Sequence, residues 1–63
     1  MTDEAAKSAV LSTLRVVGEA EPTDLTRITG VPIHIVMWAL DRLREDEIVR
    51  CRICGGREFW HVA

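Results

Sequence analysis

The chain has 63 residues, 48% hydrophobic and 29% charged, so the sequence predicts one small folded domain spanning residues 1–63 and excludes a two-lobed enzyme. Eight Lys and Arg against ten Asp and Glu give a net charge of -2, so only a local patch of the surface could attract a polyanion. No apolar run approaches the roughly 20 residues that cross a bilayer, and the polar segment Met1 to Lys7 is unlike a signal peptide, which favours a cytoplasmic location.

The first predicted element is a helix over residues 3–17. Thr2 followed by Asp3 is typical of a helix N-cap with an acid in the first turn. Apolar residues then recur every three or four positions, and Gly18 ends the helix because it can adopt a positive φ. The residues of this stripe, which should face the core, are Ala6, Val10, Leu14 and Val17.

Two further helices follow a short connector. Residues 19–22 could hold one bridge of β structure at most, and helices are predicted over residues 23–29 and 32–46. Gly30 followed by Val31 predicts a sharp turn between these helices, because the glycine permits the turn and the apolar valine should hold it in place. Their buried positions should be Leu25 and Ile28 in the second helix and Val36, Leu40 and Leu43 in the third.

The hydrophobic period changes to two in the last part of the chain, residues 47–63. Val49, Cys51 and Ile53 should share one face of a strand, since every second residue points the same way. Ile48, Arg50 and Arg52 should share the other face. Cys54-Gly55-Gly56-Arg57 predicts a hairpin turn, because adjacent glycines tolerate positive φ angles. Of the neighbours Phe59 and Trp60 on the returning strand, one must face the core and the other must point outward.

Apolar residues at helical spacing, a Gly-Val turn and an aromatic last strand occur together in this chain. They are Leu25, Ile28, Gly30, Val31, Val36, Leu40, Leu43, Ile48, Val49, Phe59, Trp60, His61, Val62 and Ala63. This combination resembles the winged helix-turn-helix superfamily, an α+β fold of three helices followed by a two-stranded antiparallel β-hairpin wing. The resemblance implies a transcriptional regulator whose third helix lies in the major groove of duplex DNA and whose wing contacts the backbone. The DNA-binding residues would be His34, Arg44, Arg50, Arg52 and Arg57.

The spacing is also similar to that of winged helices that bind left-handed Z-form nucleic acid. The similarity extends to the segment Gly30-Val31-Pro32 and to the aromatic strand around Trp60. That subset relies on an asparagine and a tyrosine of the third helix, where this chain has Met37 and Asp41. The chain therefore lacks the residues on which Z-form recognition depends.

The expected outward face of the third helix favours an alternative function. Ile33, Met37 and Trp38 offer no group that reads base edges, and Asp41 on the same face would repel phosphate. Apolar and aromatic side chains of this kind are enriched at protein interfaces. The alternative is a protein-interaction module, forming a homodimer or docking another protein; an equally open interpretation is that Trp38 covers the side of the core. The small core by itself also favours a homodimer.

The segment Cys51-Arg52-Ile53-Cys54-Gly55 has the Cys-x-x-Cys-Gly spacing of a zinc knuckle. A structural zinc needs about four ligands, and the other candidates are His34 and His61. Zinc bound by Cys51 and Cys54 is one hypothesis, and two neutral thiols at a hairpin turn are the other. No other cofactor is expected. The sequence has no paired carboxylates in a pocket, phosphate-binding loop or activated nucleophile, so we do not expect an enzyme or a small-molecule substrate.

Overall fold

Three helices and a three-stranded antiparallel sheet make up residues 2–63, the part of the chain that the computed structural model describes. In chain order the elements are α1 (Asp3–Val17), β1 (Glu19–Ala20), α2 (Pro22–Thr29), α3 (Ile33–Glu45), β2 (Val49–Cys54) and β3 (Arg57–Val62). α2 begins one residue before its expected start, and α3 is one residue shorter at each end than expected. Among the helices of residues 2–63, none has the length and apolar character needed to cross a membrane.

The start of α1 and the end of α2 are capped by residues that the sequence indicates. The Thr2 hydroxyl accepts a hydrogen bond from the Ala5 amide at 3.1 Å, which satisfies one free donor of the first turn. Gly30 ends α2 in the left-handed conformation with φ 76°, and its amide donates to the Thr26 carbonyl at 2.9 Å. Glycine adopts this conformation without steric strain, so the chain turns directly from α2 into α3.

β3 lies at the centre of the sheet, with β2 on one side and β1 on the other. β2 and β3 form the predicted hairpin, and the turn Gly55-Gly56 has φ angles of 59° and 77°, the positive pair that a type I′ turn requires. Glu19 pairs with His61 and Ala20 with Trp60, so the connector forms a two-residue strand, more than the single bridge expected. β1 supplies hydrogen-bond partners for backbone groups on the outer edge of β3 that would otherwise be unpaired.

The core lies between the three helices and one face of the sheet. Its buried members are Ala6, Val10, Leu14, Ala20, Leu25, Val31, Val36, Ala39, Leu40, Leu43, Val49 and Trp60. Two residues that spacing assigns to the core are exposed instead, Val17 by 44% and Ile28 by 51%, and Ile53, which shares a strand face with Val49, is 72% exposed. Each is the last or next-to-last residue of its element. Spacing sets the direction of a side chain, but it does not determine whether a neighbouring element covers the end of a helix or strand.

Candidate nucleic-acid interface

The outward face of α3 begins with a partly open apolar surface. Ile33 is 43% exposed and His34 beside it is exposed, whereas Met37 and Trp38 are half-buried and pack against the core with part of their surface. The guanidinium of Arg42 lies over the Trp38 ring, 6.0 Å from its centroid. Trp38 thus covers the side of the core and still reaches the surface. The face on which a DNA-reading helix carries polar groups is largely apolar here.

The arginines at the far end of α3 are paired with acids of the same helix. Arg44 donates to Asp41 at 3.3 Å, and Arg42 donates to Glu45 at 3.5 Å. Arg44 also lies over the Trp60 ring, 5.5 Å from its centroid. Both ion pairs join residues three apart, so helical spacing alone is enough to form them.

The arginines of the wing lie on the side of the sheet that points away from the helices. Trp60 is 1% exposed on the core side, and its neighbour Phe59 points outward, because side chains alternate along a strand. By strand pairing, the outer sheet face consists of Glu19, Arg50, Arg52, Cys54, Arg57, Phe59 and His61. The fold therefore gathers all three wing arginines on one surface, together with an acid from β1.

Two of these arginines form bidentate ion pairs with carboxylates of the connector. Arg52 donates to Glu19 through Nε at 3.3 Å and through Nη2 at 2.9 Å. Arg57 donates to Glu21 through Nε at 3.1 Å and through Nη2 to the second carboxylate oxygen. The partners are 33 and 36 residues apart in the sequence, so only the fold brings them together. Hydrogen bonding and charge from Arg52 lower the pKa of Glu19 below the ordinary range of a glutamate.

The same two guanidiniums both lie over the ring of Phe59. Its centroid is 5.0 Å from the Arg52 guanidinium and 5.6 Å from that of Arg57, both within the range of cation–π attraction. We call this unit of two ion pairs and one ring, formed by Glu19, Glu21, Arg52, Arg57 and Phe59, the arginine clamp. It ties the wing to β1 and to the start of α2.

Arg50 is the wing arginine that forms no ion pair with any of residues 2–63. It is exposed on the outer sheet face, opposite His61 in the register of β2 and β3. His61 Nδ1 is 4.0 Å from a carboxylate oxygen of Glu19 and has no hydrogen-bond partner in the described part of the chain. A phosphate can bind Arg50 directly, whereas at Arg52 or Arg57 it must replace a carboxylate.

The two cysteines lie on opposite faces of β2. Cys51 is half-buried on the core side, where burial and the negative charge of Glu58 raise the pKa of its thiol. Cys54 is exposed on the outer sheet face, next to the hairpin turn. Because residues three apart in a strand point in opposite directions, β2 holds the two thiols on opposite faces of the sheet. Residues 2–63 also contain no group of three or more His, Cys, Asp or Glu side chains placed to hold a metal.

Glu19 and Glu21 are the residues of this surface that sequence reasoning misses. The segment Ile48 to Ala63 has three arginines against one glutamate, which suggests a basic wing. Two more carboxylates meet those arginines once β1 pairs with β3. The only sequence signal is the spacing of Glu19 and Glu21, which matches the period of a strand but is too short to predict one.

The chain matches no protein-family model and no curated protein, but it is similar to solved structures. BpsR from Bordetella bronchiseptica, whose DNA binding is regulated by 6-hydroxynicotinic acid, superposes with a TM-score of 0.90 at 20% identity, over 94% of this chain and 44% of BpsR. The Zalpha domain of PKZ from Carassius auratus, in complex with Z-DNA, superposes with a TM-score of 0.86 at 15% identity, over 97% of both chains.

A third similar structure is a homodimeric winged helix-turn-helix DNA-binding domain from Mycobacterium bovis, described as a possible ArsR-family transcriptional regulator. It has a TM-score of 0.82 and 22% identity over 94% of this chain and 54% of its own. The chain thus spans about half the length of this domain and of BpsR. With three helices followed by the β2–β3 hairpin, these similarities establish the fold. The chain has the winged helix-turn-helix fold, in which α2 and α3 form the helix-turn-helix and β2 and β3 form the wing.

Proposed function

We propose that this winged helix binds duplex DNA as the DNA-contacting domain of a transcriptional regulator. The observation that supports the proposal is the match in fold. Each of the three similar structures belongs to a DNA-binding protein and superposes over at least 94% of this chain, and one of them is bound to Z-DNA. In such domains the third helix enters the major groove and the wing lies against the DNA backbone.

The wing supplies the phosphate contacts in this proposal. Arg50 binds a phosphate oxygen without losing a partner, because it forms no ion pair within residues 2–63. Arg52 and Arg57 exchange the carboxylates of the arginine clamp for phosphate oxygens, which accept the same bidentate hydrogen bonds. The Arg52–Glu19 pair is solvent-exposed and such pairs are weak, so phosphate competes with the Glu19 carboxylate at modest cost, whereas the less exposed Glu21 holds Arg57 more firmly.

α3 supplies fewer polar contacts. His34 lies exposed in the first turn of α3, where its ring nitrogens can reach a base edge or a phosphate. Ile33 and Met37 can contact thymine methyl groups, which are the apolar feature of the major groove. Arg44 must turn from Asp41 toward the backbone to contribute. Phosphate contacts and DNA shape therefore dominate recognition, and discrimination between sequences is modest.

Fluorescence anisotropy with a generic B-form duplex, titrated between about 20 and 200 mM salt, tests the proposal. The logarithm of the binding constant should fall linearly with the logarithm of the salt concentration, because bound phosphates release counterions. Arg50→Ala should reduce the slope, and Lys7→Ala on α1 is the control that should leave it unchanged. A flat salt response, or no binding at the lowest salt, rejects DNA binding. Tighter binding to a Z-form duplex would contradict the interpretation of Met37 and Asp41.

A second candidate function is docking of another protein, or of a second copy, on α3. It is favoured by the open apolar surface of Ile33, Met37 and Trp38 and by the carboxylate of Asp41 beside it. Met37→Lys separates the two functions, because it adds a cation that attracts phosphate and repels an apolar partner. If α3 faces DNA, this variant should bind the duplex more tightly. If α3 docks protein, amide shifts that change on dilution should centre on Met37 and Trp38 and should disappear in the variant.

A further inference from the structure

The edge of β2 that faces away from β3 has backbone groups without a strand partner. β2 is the last strand on its side of the sheet, and its six residues pair with β3 without a bulge. In an antiparallel pair, the N–H and C=O groups of successive residues point alternately toward and away from the neighbouring strand. The Ala63 amide donates to the Ile48 carbonyl at 2.9 Å, so the even-numbered residues of β2 point toward β3. The backbone groups of Cys51 and Ile53 therefore point away from the sheet.

The part of this edge that solvent can reach begins at Cys51. Val49 is buried, whereas Cys51 is half-buried and Ile53 is 72% exposed. Within residues 2–63, no turn, loop or cap forms a backbone hydrogen bond with Cys51 or Ile53. Proteins often protect an open sheet edge with a proline or a bulge, and β2 has neither. The backbone of β2 is therefore accessible to a further strand.

The opposite edge of the sheet shows which kind of segment this sheet binds. There the segment Glu19-Ala20-Glu21 lies beside β3, with Ala20 buried on the core side. The two flanking carboxylates bind Arg52 and Arg57 on the outer sheet face. Because side chains alternate along a strand, a sequence of acid, apolar residue and acid satisfies both faces of the sheet at once.

The edge of β2 offers the same two kinds of surface. On the outer sheet face, Arg50 is exposed and forms no ion pair within residues 2–63. On the other face, Cys51 and Ile53 form an apolar row that the helices cover only in part. A strand beside β2 would place alternate side chains against these two surfaces, because directly opposite residues of neighbouring strands lie on the same face. Acidic and apolar residues in alternation are therefore complementary to this edge.

We propose that β2 binds an extended segment of another protein, in which acidic and apolar residues alternate, as a further strand of the sheet. A carboxylate of the segment binds Arg50, and the neighbouring apolar side chain contacts Cys51 and Ile53. Main-chain hydrogen bonds to the free groups of Cys51 and Ile53 supply affinity, and the alternating side chains supply selectivity. The contact is far smaller than a standard interface, so we expect a Kd of about 0.1 to 1 mM. The proposal does not depend on DNA binding.

An NMR titration of the full chain with the peptide acetyl-Thr-Glu-Val-Glu-Val-Glu-Thr-amide, up to about 2 mM, tests this strand addition. Amide shifts should change along β2. Hydrogen exchange at the Cys51 and Ile53 amides should slow about threefold or more, because their N–H groups gain acceptors. The Arg50 and Arg52 amides already point toward β3 and serve as the internal reference. A control peptide with lysine in place of each glutamate should bind at least about tenfold more weakly.

Substitutions in β2 test the two parts of the contact separately. Arg50→Glu should raise the Kd of the acidic peptide at least about tenfold, and the lysine peptide should bind this variant more tightly than it binds the natural chain. Arg15→Glu is the matched control, because it makes the same charge change at an exposed position of α1 and should alter the Kd less than about twofold. Ile53→Pro removes an edge donor that does not pair with β3, and it should abolish binding.

Several results would overturn the strand addition. They include unchanged amide shifts at 2 mM peptide and equal binding of the acidic and lysine peptides. Shift changes without slowed exchange at Cys51 and Ile53 would mean that the carboxylates bind arginines and no strand is added. Slowed exchange that depends on protein concentration without peptide would assign the edge to a second copy instead. None of these measurements contains DNA, so a failure of duplex binding leaves their outcome unchanged.

Discussion

The outward face of α3 and the outer sheet face hold their arginines in different ways. On α3, Arg44 pairs with Asp41 three residues earlier, and any helix with this sequence can form that pair. On the sheet, Arg52 pairs with Glu19 across 33 residues, and the pair exists only when β1 joins β3. Ion pairing of Arg52 on the wing therefore depends on the tertiary fold, whereas ion pairing of Arg44 depends on the sequence of one helix.

The two surfaces should also contribute differently to the proposed DNA binding. The first half of the α3 surface is apolar, and the arginines of its second half are satisfied by acids of the same helix. On the wing, Arg50 forms no ion pair within residues 2–63, and Arg52 and Arg57 form ion pairs whose carboxylates a phosphate could replace. The wing should therefore determine how DNA affinity responds to salt.

The largest expected effect comes from Trp60, the buried aromatic residue of β3. Its buried ring packs in the core and lies beneath the Arg44 guanidinium, and its indole N–H donates to Glu58 at 3.2 Å. Trp60→Ala should lower the free energy of unfolding by about 3–5 kcal/mol, which is most of the stability of a domain of this size. Urea denaturation measures the change. Trp38→Ala, which removes a half-buried ring, should keep a cooperative transition; if it unfolds the domain as well, the Trp38 ring belongs to the core.

The next largest effect concerns Arg50, the wing arginine that forms no ion pair within residues 2–63. Arg50→Ala should weaken binding to a duplex about threefold to tenfold and reduce the salt slope by about one, because one phosphate contact is lost. Arg44→Ala should have a smaller effect, since Asp41 already holds that guanidinium. Anisotropy titrations at several salt concentrations measure both variants. An equal loss in the two would mean that α3 and the wing contribute alike.

Opening the arginine clamp should have a smaller effect of opposite sign. Glu19→Gln removes the carboxylate that holds Arg52 and keeps the size of the side chain, so we expect binding to a duplex to strengthen about twofold to threefold. The salt slope should become steeper because Arg52 gains a phosphate contact. The matched control is Glu45→Gln, which releases Arg42 on α3 and should change affinity less. Unchanged binding in Glu19→Gln would place Arg52 outside the DNA contact.

The smallest effect is a pH dependence of stability. Arg52 lowers the pKa of Glu19, so this pair stabilises the folded state fully above the ordinary glutamate pKa of about 4.3. The contribution is lost as the pH falls through the lowered pKa, because the carboxylate then takes up a proton in the folded state as well. The difference in unfolding free energy between the natural chain and Glu19→Gln should therefore vanish in acid. Urea denaturation from pH 7 to about pH 2 measures it, and a difference that grows toward acid would contradict the pair.

Much of the fold can be predicted from short-range patterns. Thr2, Gly30 and the Gly55-Gly56 turn act through their own backbone or hydroxyl groups, so the caps and the hairpin follow from the local sequence. Alternation also shows that Phe59 and Trp60 must point to opposite faces, but it does not show which one is inside. Only the packing of β3 against the helices buries Trp60 and leaves Phe59 to the arginine clamp.

The candidate site was less predictable, because it depends on contacts between distant segments. The sequence points to Arg50, Arg52 and Arg57 as wing residues, but it does not indicate that Glu19 and Glu21 meet two of them. A two-residue strand such as β1 has too little periodicity to be recognised. Cys51 and Cys54 show the same limit, since their spacing suits a knuckle in a turn and the structure places them in a regular strand.

The sequence by itself determined the order of the elements, their caps and turns, and the direction in which each side chain points, because these depend on residues within a few positions of one another. The tertiary structure decided which of those directions are covered. It closed β1 onto β3, neutralised Arg52 and Arg57 with distant carboxylates, and left Val17 and Ile28 exposed at the ends of their helices. These outcomes depend on the positions of the element ends relative to one another, and no local sequence pattern specifies those positions.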